Sequence, residues 1–338
     1  MASIHTDKYN VYSYIGVSDA EYQHNSLILD SNVVINLEKL FYKPNKLHNK
    51  LEATRDLLLE NTEKNLFYGF GRQESCWDYM LEGINEGQID KLDGALEQIF
   101  NWDKEQILSH SVSTGINYEG QVSREKANNI STLVPQIKEC NPLILGSYAC
   151  VLKIMSIQKE ELSRVESARK FVDFSIEELK TIHAFETQLT LNYFLGNDEL
   201  YAIGNGIFKF DRQKEEILLK AWNATWDIFF LRTLQRAYID YSFLKIDKPK
   251  LVTADQSLVR LARLCSLEGA IQNNNNFVSI LSFDGSLIKK EFEEIVEGID
   301  ITIQESASER TNAREKIEDK ESFLIEQIKR LEIELLNS

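Results

Sequence analysis

Residues 26–35 read Ser-Leu-Ile-Leu-Asp-Ser-Asn-Val-Val-Ile, and this stretch restricts the fold more than any other. An apolar run that ends abruptly in an acid, a hydroxyl and an amide has the form of a buried strand of a parallel sheet, with polar groups where the strand leaves the core. Val33, Val34 and Ile35 then reopen an apolar pattern that leads into a helix. In open α/β sheets ligands bind beyond the carboxyl ends of the strands, so Asp30 would stand at the rim of a crevice. The plainer alternative is that Asp30 or Asn32 only caps the next helix, a position both residue types favour.

A second stretch of the same design lies far along the chain. Lys250-Leu251-Val252-Thr253-Ala254-Asp255 is again a short apolar run that passes into a hydroxyl and an acid, followed by the helical spacing of Leu258, Val259, Leu261 and Leu264. Two such strand ends can face each other across one crevice. In these two places the chain resembles the PIN-domain nucleases, whose hallmarks are a first strand ending in Asp-(Ser/Thr)-Asn and a late strand ending in Thr-x-Asp. Here the motifs are Asp30-Ser31-Asn32 and Thr253-Ala254-Asp255, and the likeness covers the N-terminal segment and roughly residues 215–285. The resemblance implies an α/β fold, a PIN-like parallel sheet flanked by helices. The length of the chain adds a large helical insertion and a charged C-terminal helix.

The organisation expected on this basis is residues 1–85 as the N-terminal part of a PIN-like domain, 86–200 as a helical insertion, 201–290 as the C-terminal part and 291–338 as a helical or coiled-coil tail. Tyr9, Tyr12, Tyr14 and Tyr22 lie in a polar N-terminal stretch without period, read as an arm. Leu37 to Lys50 reads as a loop broken at Pro44, and Gly115–Ser123 as another. Gly69-x-Gly71 lacks the Lys-Ser/Thr of a phosphate loop and the third glycine of a dinucleotide fingerprint. Glu74 and Asp78, four apart, would share a helical face. Asn205-Gly206 gives a turn signal for residues 201–208. Leu324, Ile328, Leu331 and Leu335 alternate spacings of four and three, which suits either a helix packed on its own domain or a coiled-coil seam.

Composition narrows the chemistry. Cys76, Cys140, Cys150 and Cys265 are scattered without metal-type spacing, and the five histidines form no ligand pair, so neither disulfides nor zinc find support. No run of about 18 apolar residues and no basic-then-apolar leader occurs, so the expectation is a cytoplasmic protein without a membrane span. The formal net charge of −15 opposes a surface that coats nucleic acid. Basic residues nonetheless follow each acid of interest, and Lys39, Lys43, Arg72 and Arg232 are candidates for holding substrate phosphates.

The resemblance implies a site of Asp30, Glu74, Asp227 and Asp255, supported by Asn32 and Thr253, with Asp78 the alternative to Glu74. Asp227 lies between Trp226 and Ile228-Phe229-Phe230, where an unpaired charge is costly. Converging carboxylates repel by about 4 kcal/mol per pair at 4 Å and an effective dielectric of 20, which favours protons or a cation among them. The expectation is therefore a Mg²⁺- or Mn²⁺-dependent nuclease in which metal-activated water hydrolyses phosphodiester bonds, RNA before DNA, in a role such as a bacterial toxin or anti-phage defence. The alternative is a non-catalytic PIN-like scaffold, with the insertion or the C-terminal helix binding a partner protein or a second copy. A phosphatase using Asp30 as nucleophile is disfavoured by Asn32, which stands where that chemistry wants a second acid.

Overall fold

The computed structural model describes residues 3–17, 24–78, 83–110, 135–208, 216–240, 244–273, 276–283 and 287–337. The expected loop at 115–123 and the expected place of Tyr22 lie outside these residues. Contacts divide the chain into two units, Met1–Lys138 with Thr233–Ser279, and Glu139–Arg232 with Ile280–Ser338.

The first part of the chain forms β1 (Ser3–Thr6), β2 (Ser13–Gly16), β3 (Ser26–Leu29), α1 (Ser31–Tyr42), α2 (Leu51–Leu59), β4 (Asn65–Phe67), α3 (Gly69–Cys76), β5 (Trp77–Asp78), β6 (Gly83–Ile84), α4 (Glu86–Ile99) and α5 (Lys104–Ser109). Helices follow: α6 (Pro135–Lys159), α7 (Arg164–Asp173), α8 (Ala184–Leu195), α9 (Asp198–Phe208) and α10 (Ile217–Ile239). Next come β7 (Pro249–Thr253), α11 (Gln256–Leu264), the hairpin strands β8 (Cys265–Asn273) and β9 (Asn276–Phe283), then α12 (Glu293–Glu305), α13 (Ala307–Glu315) and α14 (Lys320–Asn337).

In the first unit five strands form one mixed sheet in the order β1-β2-β7-β3-β4. The three strands β7, β3 and β4 run parallel, with Leu29 opposite Val252 and Ser26 opposite Asn65. From β3 the chain crosses to β4 on one side, whereas β7 enters on the other, so the sheet has its topological switch point between β3 and β7. The expected arm at the N-terminus is instead the antiparallel hairpin β1–β2, which extends the sheet from β7. Its turn is closed by the Asp7 carboxylate, which accepts from the backbone N–H groups of Tyr9, Val11 and Tyr12, while Asn10 takes the left-handed conformation at φ 57°. Tyr12, buried, exchanges hydrogen bonds with Thr54 and Asn36.

The expected loop from Leu37 is helical as far as Tyr42. Val33, Val34, Leu37, Leu40 and Phe41 recur at helical spacing and are all buried, and that stripe carries α1 past the predicted break until Pro44 opens a 3₁₀ turn. Residues from 86 onward do not form one insertion either. Ile89, Leu92, Leu96 and Ile99 of α4 join the same core as Val33, Leu37 and Leu57, so α4 and α5 belong to the sheet unit. α3 ends at Cys76, and Trp77–Asp78 pairs with Gly83–Ile84 as β5–β6, so Asp78 does not continue the helix that carries Glu74.

The second unit is helical. Residues 201–208, expected as a turn, lie in α9, whose start is held by Asn197 accepting from the Glu199 and Leu200 N–H groups. Gly204 is tolerated mid-helix because the Tyr193 ring packs onto it; a Cβ there would fall 2.0 Å from that ring. The apolar seam of α14 is spent within its own unit. Leu324, Ile328, Leu331 and Leu335 are buried, and Glu332 and Glu334 accept from Tyr148, Lys153 and Ser156 of α6. Among the described residues no helix is long and apolar enough to cross a membrane.

Candidate functional site

Asp30 is the first residue beyond β3, and its N–H donates to the Val252 carbonyl at 3.0 Å, carrying the parallel ladder one step further. Its backbone is extended (φ −67°, ψ 157°) and its carboxylate accepts from the Ser31 N–H at 2.6 Å, so it is the N-cap of α1. Asp30 thus caps α1 and at the same time stands at the carboxyl end of β3, beside the end of β7. Asp255 does the same for α11: its Oδ1 accepts from Ser257 N–H at 2.6 Å, and its carbonyl accepts from Val259 N–H.

Two residues lock these strand ends together. The Thr253 hydroxyl donates to Asp30 Oδ2, and the same oxygen accepts from Asp255 N–H at 2.9 Å and from the Asn32 side-chain amide at 3.3 Å. One donor and two acceptor positions exhaust a hydroxyl. Asn32 donates to Asp30 Oδ2 as well and accepts from Ala254 N–H at 2.8 Å. A valine or leucine at either position would leave buried polar groups open, which is the physical content of the Asp-Ser-Asn and Thr-x-Asp motifs.

The electrostatics are unusual for a simple cap. Asp30 is 3% exposed, and burial pushes its carboxyl up from 3.8 to about 6. Hydrogen bonds from Thr253, Ser31 and Asn32 pull in the other direction, and the negative charge of Asp255 adds to the rise. The two acids thus feel each other across the switch point, the place where open α/β sheets bind ligands. Asp255 is only half-buried, and its Oδ2 has no protein partner among the described residues.

Gly71, which the sequence offers only as part of an incomplete phosphate-loop pattern, has a packing role beside the Asp30 turn. Gly71, in α3, lies so near the end of β3 that a Cβ would meet Leu29 O at 2.6 Å, Val34 Cγ2 at 2.9 Å and the Asp30 carbonyl carbon at 3.0 Å. Gly69-x-Gly71 therefore marks a close approach of helix to strand, and its signal was a glycine placed just after a short apolar strand. Glu74 is half-buried three residues further along α3, next to Gly71 on the helix surface. Asp227 is half-buried in the portion of α10 that belongs to the second unit.

Of the four candidate substrate cations, two are engaged elsewhere. Arg232 bonds the fully buried Glu186 at 2.6 Å and the Ser147 hydroxyl at 3.0 Å, inside the second unit. Arg72 pairs with Asp93 at 3.2 Å. Lys39 is half-buried near the end of α1, and Lys43 is exposed just beyond it.

Among the described residues no group of three or more His, Cys, Asp and Glu side chains comes together to hold a metal ion. Two carboxylates stand at adjacent strand ends, hard oxygen donors both, and Asp30 is buried at an energetic cost that a cation would relieve. That set suits Mg²⁺ or Mn²⁺, which keep most of their waters and take one or two carboxylates from the protein. No family model, curated protein or solved structure matches this chain.

Proposed function

We propose that the crevice at Asp30 and Asp255 is the site of a metal-dependent phosphodiester hydrolase resembling the PIN-domain nucleases, with RNA before DNA as its polymer. The observation that carries this reading is the pair of acids at the carboxyl ends of the adjacent parallel strands β3 and β7, the charge of Asp255 adding to the cost of ionising the buried Asp30. Asp30 and Asp255 would hold the ion, which when bound supplies Lewis-acid polarisation of a phosphoryl oxygen and a more acidic water. Asn32 and Thr253 keep the Asp30 carboxylate from turning away, since each donates to its Oδ2. Asp255 Oδ2 accepts no hydrogen bond among the described residues and is the oxygen left for a ligand. Glu74, on the helix that Gly71 presses against the Asp30 turn, is the next acid to test.

The test is cleavage of labelled single-stranded RNA and DNA in manganese, beside an Asp30→Asn/Asp255→Asn double variant. The reading expects manganese-dependent cutting that the double variant loses. The alternative, a scaffold that binds a partner without cutting, accords with there being no group of three metal-holding side chains among the described residues, and it expects neither cutting nor manganese binding.

A further inference from the structure

A recess in the sheet unit lies apart from Asp30 and Asp255 and has a composition of its own. It is a cleft of about 310 Å³ between the segment that joins α2 to β4 and the end of α4 leading into α5. Leu66, Ile99, Phe100 and Trp102 give it an apolar, aromatic wall, and Asn65 a polar edge. Lys64 is the one charged side chain among the described residues that line it. Asn61 and Thr62 add to its polar side, and a cleft of this size that sets aromatic rings against a few placed polar groups can seat a small ligand.

The aromatic wall is braced from behind. Phe100 meets Tyr68 at 5.6 Å between ring centroids, and Trp102 meets His110 at 4.7 Å and Phe41 at 5.7 Å. Trp102 is itself half-buried, so it is a ring fixed in place with part of its surface open. Lys64 is likewise positioned, its ammonium donating to Asn61 Oδ1 at 2.7 Å, while Asn61 donates to Leu57 O. In a chain of net charge −15, an ammonium fixed beside open aromatic rings is a selective feature.

We propose that this cleft binds a nucleotide, its base stacked on Trp102 and Phe100 and its phosphate held by Lys64. Stacking on aromatic rings beside basic residues is the general way in which proteins hold unpaired bases. The cleft is separate from the carboxylate site. Asn65 pairs with Ser26 at the start of the parallel strands, about 13 Å of strand from Asp30 at their end. It would hold its ligand whether or not Asp30 and Asp255 support hydrolysis.

The experiment is a titration of the full chain in EDTA, where metal-dependent cleavage plays no part, with UMP, AMP and a short fluorescent single-stranded RNA. Binding is expected, weakened about tenfold or more by Lys64→Glu and by Trp102→Leu, with both variants melting as cooperatively as the wild type. Equal affinity for mononucleotide and oligomer identifies a free nucleotide as the ligand, and a clear preference for the oligomer identifies a strand. Absence of binding to all three ligands overturns the proposal, and so does binding that Lys64→Glu leaves unchanged. Loss of manganese-dependent cutting in the Asp30→Asn/Asp255→Asn variant is read in a separate assay, so the two sites fail or stand independently.

Discussion

The Thr253 hydroxyl donates to the Asp30 carboxylate from 223 residues away, joining the end of β7 to the end of β3 at the switch point of the sheet. The bond turns two local strand ends into one site. Thr253 is fully buried and its hydroxyl is saturated by Asp30, Asp255 N–H and Asn32.

Thr253→Val keeps the shape and removes all three bonds. It is expected to destabilise the protein by about 1–3 kcal/mol, the cost of leaving buried polar groups unpaired, whereas Thr253→Ser retains the hydroxyl and most of the stability. Urea unfolding of the three proteins measures this, and equal midpoints for Val and wild type would remove Thr253 from the account.

The buried Asp30 carboxyl gives a pH dependence of definite sign. Its proton affinity is raised in the folded state, from 3.8 to about 6, so the folded protein holds the proton more tightly than the unfolded chain. That contribution to stability is fully present below pH 3.8 and lost as the pH rises through about 6, amounting to about 3 kcal/mol. In EDTA, Asp30→Asn should therefore gain stability relative to wild type between pH 4 and pH 7. A constant difference in melting temperature across that range contradicts it.

Gly71 sits against backbone atoms of Leu29 and Asp30, which cannot swing aside as a side-chain tip can. Gly71→Ala is expected to cost about 1–3 kcal/mol through overpacking and to shift the Asp30 turn. The check is thermal unfolding beside Gly298→Ala, where a Cβ would meet nothing within 4 Å.

Arg232, a candidate substrate cation by sequence, is bound to the interior of the helical unit through Glu186, which is 0% exposed. Burial alone would raise the Glu186 carboxyl; the Arg232 guanidinium first, then His183 and the Ser147 hydroxyl, hold it below its ordinary value. Arg232→Ala should destabilise by about 3–5 kcal/mol because it strands a buried charge. The half-exposed pair Arg330–Glu178 should cost no more than about 1 kcal/mol when Arg330 becomes alanine. Similar losses in the two variants, measured by urea unfolding, would contradict this assignment.

These relationships also explain what could be read from the residues alone. The ends of β3 and β7 were legible because an apolar run that stops at an acid records both the strand and its exit in consecutive positions. The hairpin β1–β2 was not, since its turn is closed by one carboxylate, Asp7, reaching five residues on to Tyr12, with no Asn-Gly or Gly-rich signal. Asn205-Gly206 misled in the opposite direction, because the Tyr193 ring packed on Gly204 outweighs the local turn preference. Arg232 was misread because its partner Glu186 lies 46 positions earlier within an apolar helix, and only the packed unit brings them together. α4 failed as an insertion for the same reason, since its apolar stripe is completed by α1 and not by its neighbours in sequence.

The most direct measurement is the melting temperature of the full chain with increasing Mn²⁺, for wild type beside Asp255→Asn. A ligand that binds only the folded state stabilises it by RT ln(1 + [L]/Kd), about 2.7 kcal/mol at a hundredfold excess over Kd. The account predicts a rising melting temperature for the wild type and a flat one for the variant, which keeps the α11 cap oxygen but loses the second negative charge. A wild type that Mn²⁺ leaves unmoved, or a variant that rises equally, would contradict a divalent ion shared by Asp30 and Asp255.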